Sequence, residues 1–296
     1  MNTRSITKFL VVSALCGASS GFAPQSSTTS LSRTVVAPSP QQLHVFNPFA
    51  TKEVVPEEIV KVEPVPGPLE TRNYVAAGVW VALIAWAFLA APGELSNPAD
   101  AELVTLLIEQ PTPRPESVNE LFFTVWNCFV VVPAVIGALE APVGKGQRLP
   151  ATPFLLGSGA FGYFALGPYF ATRTVREEAG ELEDMGFFSR NVFESKIFAG
   201  LLSAVAISIP FTSDIFTCDL PSTVAGFKEL FSSSKFVSVA TVDITLMSAL
   251  TSVLVSEDAK RRGWEDKATA LLAATLLLPV VGPSLYLLAR PSLKEE

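Results

Sequence analysis

FVSVATVDITLMSALTSVLVS, residues 236–256, decides how this chain is read. It is 21 residues long and holds one ionisable carboxylate, Asp243. Coiled as an α-helix it is long enough to cross the ~30 Å hydrocarbon layer of a bilayer, which takes about 20 residues. The nearest basic residue along the chain, Lys235, would then lie ~12 Å from Asp243. A carboxylate at that depth must be protonated, paired or hydrated.

Five further stretches carry no charge: residues 73–93, 121–139, 151–171, 197–213 and 268–289. Charged residues make up 17% of the chain, below the ~25% of a soluble domain, and mean hydropathy is +0.41. A soluble protein with six buried helices would show polar helix faces, which these stretches mostly lack. Strict apolar–polar alternation is absent, and an open strand cannot satisfy its backbone in lipid, so a barrel is not expected. The expected fold is all-α, a polytopic helical membrane bundle of six transmembrane helices over residues 73–290, with five as the fallback and 291–296 as a tail. The run at 197–213 is the marginal one.

The N-terminus reads as an address. Arg4 and Lys8 precede the apolar core of residues 9–16, and small residues follow at Ser19 and Gly21, so residues 1–21 form a signal peptide. No Asp or Glu occurs before Glu53. Residues 22–50, rich in Ser, Thr, Gln and Pro, read as a transit segment that does not fold. Residues 51–72 form an acidic, proline-rich lead-in. Plain secretory-pathway insertion is the competing reading, and the apolar core is too short for a membrane anchor.

Without the signal the chain keeps nineteen basic and twenty-eight acidic side chains, a formal charge of −9. No basic patch with interleaved aromatics occurs, so no nucleic-acid partner is expected. Cys16, Cys128 and Cys218 form no ligand or disulfide pattern, and the single histidine, His44, lies in the presequence. No metal site is expected, and the cofactor stays unknown. Histidine ligation of haem or chlorophyll inside the membrane is excluded, which leaves Asn127 and Glu140 as weaker ligands.

Asp243 and Glu140 are the candidate catalytic or proton-relay residues, and Asn127, Glu140 and Asp243 the candidate ligand or pigment contacts. Glu140 ends its helix, where it can simply meet water. On its helix Asp243 shares a face with Val239, Ala240, Leu246, Met247 and Leu250, apart from the hydroxyl stripe of Ser238, Thr241, Thr245, Ser248 and Ser252. Its structural role would be a hydrogen bond to Asn127, a tyrosine hydroxyl or a kinked backbone. Ser158 and Gly162, four apart in a glycine-rich run, suit close helix packing. A short helix is expected over 100–108, resting on the membrane surface or packed on the protein itself, and the stretch 224–231 is expected to lie in the interface. Counted over six crossings, basic residues divide nine to nine between the two sides, so they set no orientation.

Two resemblances add to this. The segment ASSGFAP, residues 18–24, resembles the two-part plastid presequence of diatoms and related algae, with Gly21 where alanine is usual. Residues 122–173 resemble a segment of uncharacterised multi-spanning membrane proteins of cyanobacteria and plastids. Asn127, Pro133, Gly146, Gln147, Leu149, Pro150, Pro153, Phe154, Gly157, Phe164, Ala165, Pro168 and Tyr169 carry that likeness. Together they imply a chloroplast membrane, thylakoid or envelope, and no reaction.

The expected role is noncatalytic: assembly or scaffolding of a photosynthetic membrane complex, with lipids, complex subunits or pigments as partners. An ion-coupled transporter and an intramembrane carotenoid- or lipid-modifying enzyme are the alternatives. A transporter predicts that helices 1–3 echo helices 4–6, and no such echo stands out in the sequence.

Overall fold

The computed structural model describes residues 66–176 and 185–293. The signal, the transit segment and most of the acidic lead-in lie outside the described residues, as does the end of the tail. Nine α-helices occur among the described residues: α1 (Thr71–Leu89), α2 (Pro98–Glu109), α3 (Glu120–Glu140), α4 (Ala151–Thr172), α5 (Lys196–Thr212), α6 (Leu220–Ser233), α7 (Lys235–Arg261), α8 (Glu265–Leu277) and α9 (Val281–Ala289). Three are long and apolar enough to cross a membrane, namely α1, α7 and α3 with its one-turn extension to Val143. Val75, Val81, Phe88, Ile197 and Leu201 point outward and exposed, as lipid-facing side chains do. This is a polytopic α-helical membrane protein.

The helix directions follow from contacts at their ends. At one face, Asn73 at the start of α1 donates to Phe170 O and Arg173 O at the end of α4. Lys196 at the start of α5 donates to Leu288 O and Arg290 O beside the end of α9. At the other face, Lys235 at the start of α7 donates to Ala87 O and Ala91 O at the end of α1. Asp214, just past α5, pairs with Arg114, just before α3. Thus α1, α3, α5 and α7 run from face to face, and α5 does so with 17 residues.

The run at 151–171, expected as one crossing, folds back on itself. Gly162 takes φ 52° and ψ −135° in the middle of α4. A Cβ built on Gly157 would lie 3.2 Å from the Ala165 Cβ, and the Phe154 and Tyr169 rings stack 6.3 Å apart. In a straight helix those pairs would be separated by ~12 Å and ~22 Å along the axis. Gln147, before the helix, exchanges hydrogen bonds with Thr174 after it, at 2.8 and 2.9 Å. Both ends therefore lie at the same face, and residues 151–161 reach inward ~16 Å, about half the apolar layer. The φ and ψ at the tip are open only to glycine, which is why the chain can turn there. Ser158 is buried and donates to Leu155 O, and Gly162, where the chain turns, has no Cβ to collide with the Asp243 carboxylate of α7.

The run at 268–289 also turns back. Leu278 leaves the helix at φ −128° and ψ 75°, outside the α region that a following proline disfavours, and Pro279 brings no N–H. A Cβ on Gly282 would lie 2.7 Å from Thr275 Cα, and the Trp264 and Tyr286 rings are 5.8 Å apart. Hence α8 and α9 form a second hairpin, entered and left at the same face as the first. In place of six straight helices the described residues give three long enough to cross a membrane, a 17-residue helix running between the same two faces, and two helical hairpins.

The order of elements then repeats. A crossing, a short surface helix, a return crossing and a hairpin (α1, α2, α3, α4) are followed by the same four (α5, α6, α7, α8–α9). Hairpin 1 packs on α1 and α3, hairpin 2 on α5 and α7, and α3 packs on α7 along the centre. The short helix expected over 100–108 is α2, capped by Asn97, whose side chain accepts from Ala99 N, and the stretch 224–231 lies within α6. With both hairpins opening to one face, the basic residues cease to tie. Among the residues whose side chains are described, that face carries Arg72, Lys145, Arg148, Arg173, Arg176, Arg190, Lys196, Lys260, Arg261, Arg262 and Arg290, eleven against Arg114, Lys228 and Lys235 at the other. We call them the basic face and the acidic face.

Candidate functional site

Two places gather polar chemistry, one at mid-depth and one at the basic face. The first answers what Asp243 does. Breaking α4 at Gly162 leaves the N–H of Tyr163 at the start of a returning half-helix, without an acceptor in its own chain turn. Asp243 Oδ1, from α7 in the other repeat, accepts it at 2.7 Å. The carboxylate is 4% exposed and fills the space a Cβ at residue 162 would need. Asp243 is therefore the cap of a broken membrane helix, favoured by the positive end of that half-helix. The predicted partners differ: Asn127 donates to Phe123 O of its own helix at 2.8 Å and does not meet Asp243. The Tyr163 hydroxyl turns to Ala76 O, 3.4 Å away. Trp80 of α1 steadies the returning half, donating from Nε1 to Phe164 O at 3.0 Å with its ring against Gly167.

The second place is a pair of matching clamps. Glu140, at the end of α3, is fully buried and does not meet water as a helix-end glutamate would. Its Oε2 accepts from the Tyr169 hydroxyl at 2.8 Å and lies 2.8 Å from Arg173 Nε, whose N–H is not aimed along that line, so the pairing is coulombic. Near the end of α7, Asp258 Oδ2 accepts from the Tyr286 hydroxyl at 2.9 Å and from Arg290 at 3.1 Å. Each repeat thus ties the outgoing limb of its hairpin to the end of its second crossing through an acid, a tyrosine and an arginine. The sequence holds the signal, because Tyr169 and Arg173 share the Tyr-x-x-x-Arg spacing of Tyr286 and Arg290, and a Gly-Pro precedes each tyrosine, directly at Pro168 and with two residues between at Pro283.

The clamps join into one network. Glu257 bonds Arg173 and, at 3.0 Å, Arg261. Glu194 bonds Arg262 and Arg290, each at 2.8 Å, and Asp258 also holds Arg262 at 2.8 Å. Four acids, Glu140, Glu194, Glu257 and Asp258, balance the guanidiniums of Arg173, Arg261, Arg262 and Arg290. Burial pulls the Arg173 guanidinium toward neutrality, but the Glu140 and Glu257 carboxylates more than reverse this and hold it firmly protonated. At Arg262 burial has the same effect, and Asp258 and Glu194 likewise win. Such a network fixes geometry, since removing one partner strands a buried charge at a cost of about 3–5 kcal/mol.

Among the described residues no group of three or more His, Cys, Asp or Glu is arranged to hold a metal. Two open surface hollows lie along α2 and between Glu94 and Phe236, and neither is lined by Asp243. Glu140 and Asp243, paired in the sequence reading as acid–base candidates, bind different partners at different depths. Compared with known proteins, the chain matches no family model, no curated protein and no solved structure.

Proposed function

We propose that this protein is a membrane carrier for a small solute or ion, with the tip of hairpin 1 as its moving part. One observation carries the reading: a helix broken at mid-depth is held by an acid from the opposite repeat. Duplicated bundles whose discontinuous helices meet at the repeat interface near the membrane centre are the common architecture of secondary transporters. Irregular backbone at that depth is tolerated only where protein buries it or a water-filled path lines it. A scaffold needs neither the duplication nor a costly carboxylate where a valine would pack.

The presequence composition and the likeness of residues 122–173 support a plastid membrane as its location. The eleven-to-three division of basic residues supports the basic face as the side from which the chain is inserted. In a plastid inner or thylakoid membrane that side is the stroma.

The test is flux. Proteoliposomes holding the full mature chain are offered a panel of isotopically labelled organic acids, amino acids, sugars and inorganic ions. At least one panel member should equilibrate faster than in protein-free vesicles, and Asp243→Ala should abolish the gain. If every member crosses at the protein-free rate, while the native protein co-purifies stoichiometrically with a photosynthetic complex, the scaffold reading replaces this one.

A further inference from the structure

Hairpin 2 turns at mid-depth without the help that hairpin 1 receives. The uncharged part of α8, residues 268–277, reaches inward ~15 Å, about half of the apolar layer. At its tip Pro279 has no N–H to give, and the N–H groups of Val280 and Val281 find no acceptor among the described residues. The first donor to bond again is Gly282 N, which reaches Leu278 O at 2.7 Å. The carbonyls of Leu276 and Leu277 likewise find no donor among the described residues. Residues 276–283 include no polar side chain. Counted back along each crossing from Glu140 and Asp258, the residue of α3 that answers to Asp243 is Val125, which offers no acceptor. The tip is also uncovered, with Leu276, Leu277 and Leu278 exposed by 74%, 81% and 52%. Unpaired backbone is tolerated at that depth only where protein buries it or water reaches it. Lipid would suit the three leucines and leave the backbone unpaired, and water would do the reverse. A protein surface serves both.

This chain carries such a surface on the same flank. The outgoing limb α9 packs along α5, where a Cβ on Gly200 would lie 3.9 Å from Leu288 Cδ1. On the outward side of α5, Ala204 and Ser208 are exposed and four residues apart, the small-residue spacing that permits close approach in a membrane. The Ser208 hydroxyl donates to Val205 O at 2.8 Å, and its oxygen can still accept. Ser208 stands three turns above Lys196, ~18 Å from the basic face. Two copies inserted in the same sense are related by a two-fold axis along the membrane normal, and that rotation keeps depth. Each residue therefore meets partner residues at its own level. The tip at ~15 Å and Ser208 at ~18 Å satisfy that condition.

We infer that the chain pairs with a second copy through this flank: the tip of hairpin 2 in each copy lies on α5 of the other, and Ser208 of the partner subunit accepts from the unpaired tip N–H groups. Each copy gives a tip and receives one, so the contact closes on itself as a dimer. The second copy supplies to hairpin 2 from outside what Asp243 supplies to hairpin 1 from within. The pairing holds whether or not the protein moves a solute.

The experiment uses the full mature chain in membranes, with Cys128→Ala and Cys218→Ser as background. Ser208→Cys and Leu277→Cys are placed in separate copies that carry different tags and are expressed together. Mild oxidation should join the two tags in one covalent dimer, with a linked peptide between positions 208 and 277. Both sites face outward, so each variant should melt with its background. Phe88→Cys is the control partner for Ser208→Cys, because Phe88 is 62% exposed on α1 of the other repeat, and the two should not link. Subunit exchange in liposomes, followed by energy transfer between labelled copies, then measures the dimer. Ser208→Ala should weaken it about three- to fifteen-fold, the range of one hydrogen bond between membrane helices. Ala204→Leu with Ser208→Leu fills the space the tip enters and should abolish it. A chain that stays monomeric at every protein-to-lipid ratio overturns the proposal, as does a dimer that links only through position 88. Reaction of Leu277→Cys with a membrane-impermeant thiol reagent also overturns it, since the tip then lies in water.

Discussion

Gly162→Ala is the substitution that reports most directly on the hairpin tip. An alanine at φ 52°, ψ −135° occupies backbone space normally open to glycine alone, a strain of about 1–3 kcal/mol. Its Cβ would also overlap the Asp243 carboxylate, which must retreat and release the Tyr163 N–H. A hydrogen bond to a charged group contributes about 1.5–3 kcal/mol. Together the loss is about 3–6 kcal/mol. At 2–4 °C per kcal/mol for a domain of this size, the melting temperature should fall by about 6–24 °C. The assay is thermal unfolding in mild detergent, followed by loss of the monodisperse peak. Gly159→Ala is the control, because a Cβ there meets nothing within 4 Å. Inside a helix limb it should be neutral or stabilising by up to about 1 kcal/mol. Adding Asp243→Ala to Gly162→Ala removes the overlap but not the loss of the acceptor for Tyr163 N–H, so the double variant should be no less stable than Gly162→Ala alone. If Gly162→Ala melts with its Gly159→Ala control, the chain does not turn at residue 162 and the account of Asp243 fails with it.

Two other outcomes test the architecture from different sides. Gly157→Cys with Ala165→Cys, in a chain lacking Cys128 and Cys218, should form a disulfide on mild oxidation, detected by mass spectrometry of the linked peptide. Its Cβ atoms would lie 3.2 Å apart, whereas a straight helix would hold them ~12 Å apart and beyond bridging. Tyr169→Phe and Tyr286→Phe should each destabilise the protein in denaturant titration by about 1.5–3 kcal/mol, because each strips one donor from a buried carboxylate. A large loss in one and none in the other would break the equivalence of the two clamps.

Parts of this molecule were open to reading along the chain. The helical membrane class, the apolar runs, the short helix near 100–108 and the isolation of Asp243 were all legible, because hydropathy and capping are local. The partner of Asp243 was not, since the freed N–H of Tyr163 is created by a turn 80 residues away in sequence. Glu140 read as solvated because a helix end usually is, and only the returning limb that brings Tyr169 and Arg173 over it buries it. The repeat hid for a related reason. An apolar run of 21 or 22 residues is equally long as one crossing or as two half-depth limbs, so length cannot tell them apart.

Sequence by itself determined that this chain is a set of apolar helices with one stranded acid, since burial of the backbone in lipid permits little else. Tertiary structure decided which runs cross and which turn back, which faces carry the basic residues, and what the acid holds. Direction of travel through a bilayer is set by contacts between distant segments, and those contacts exist only once the chain has folded.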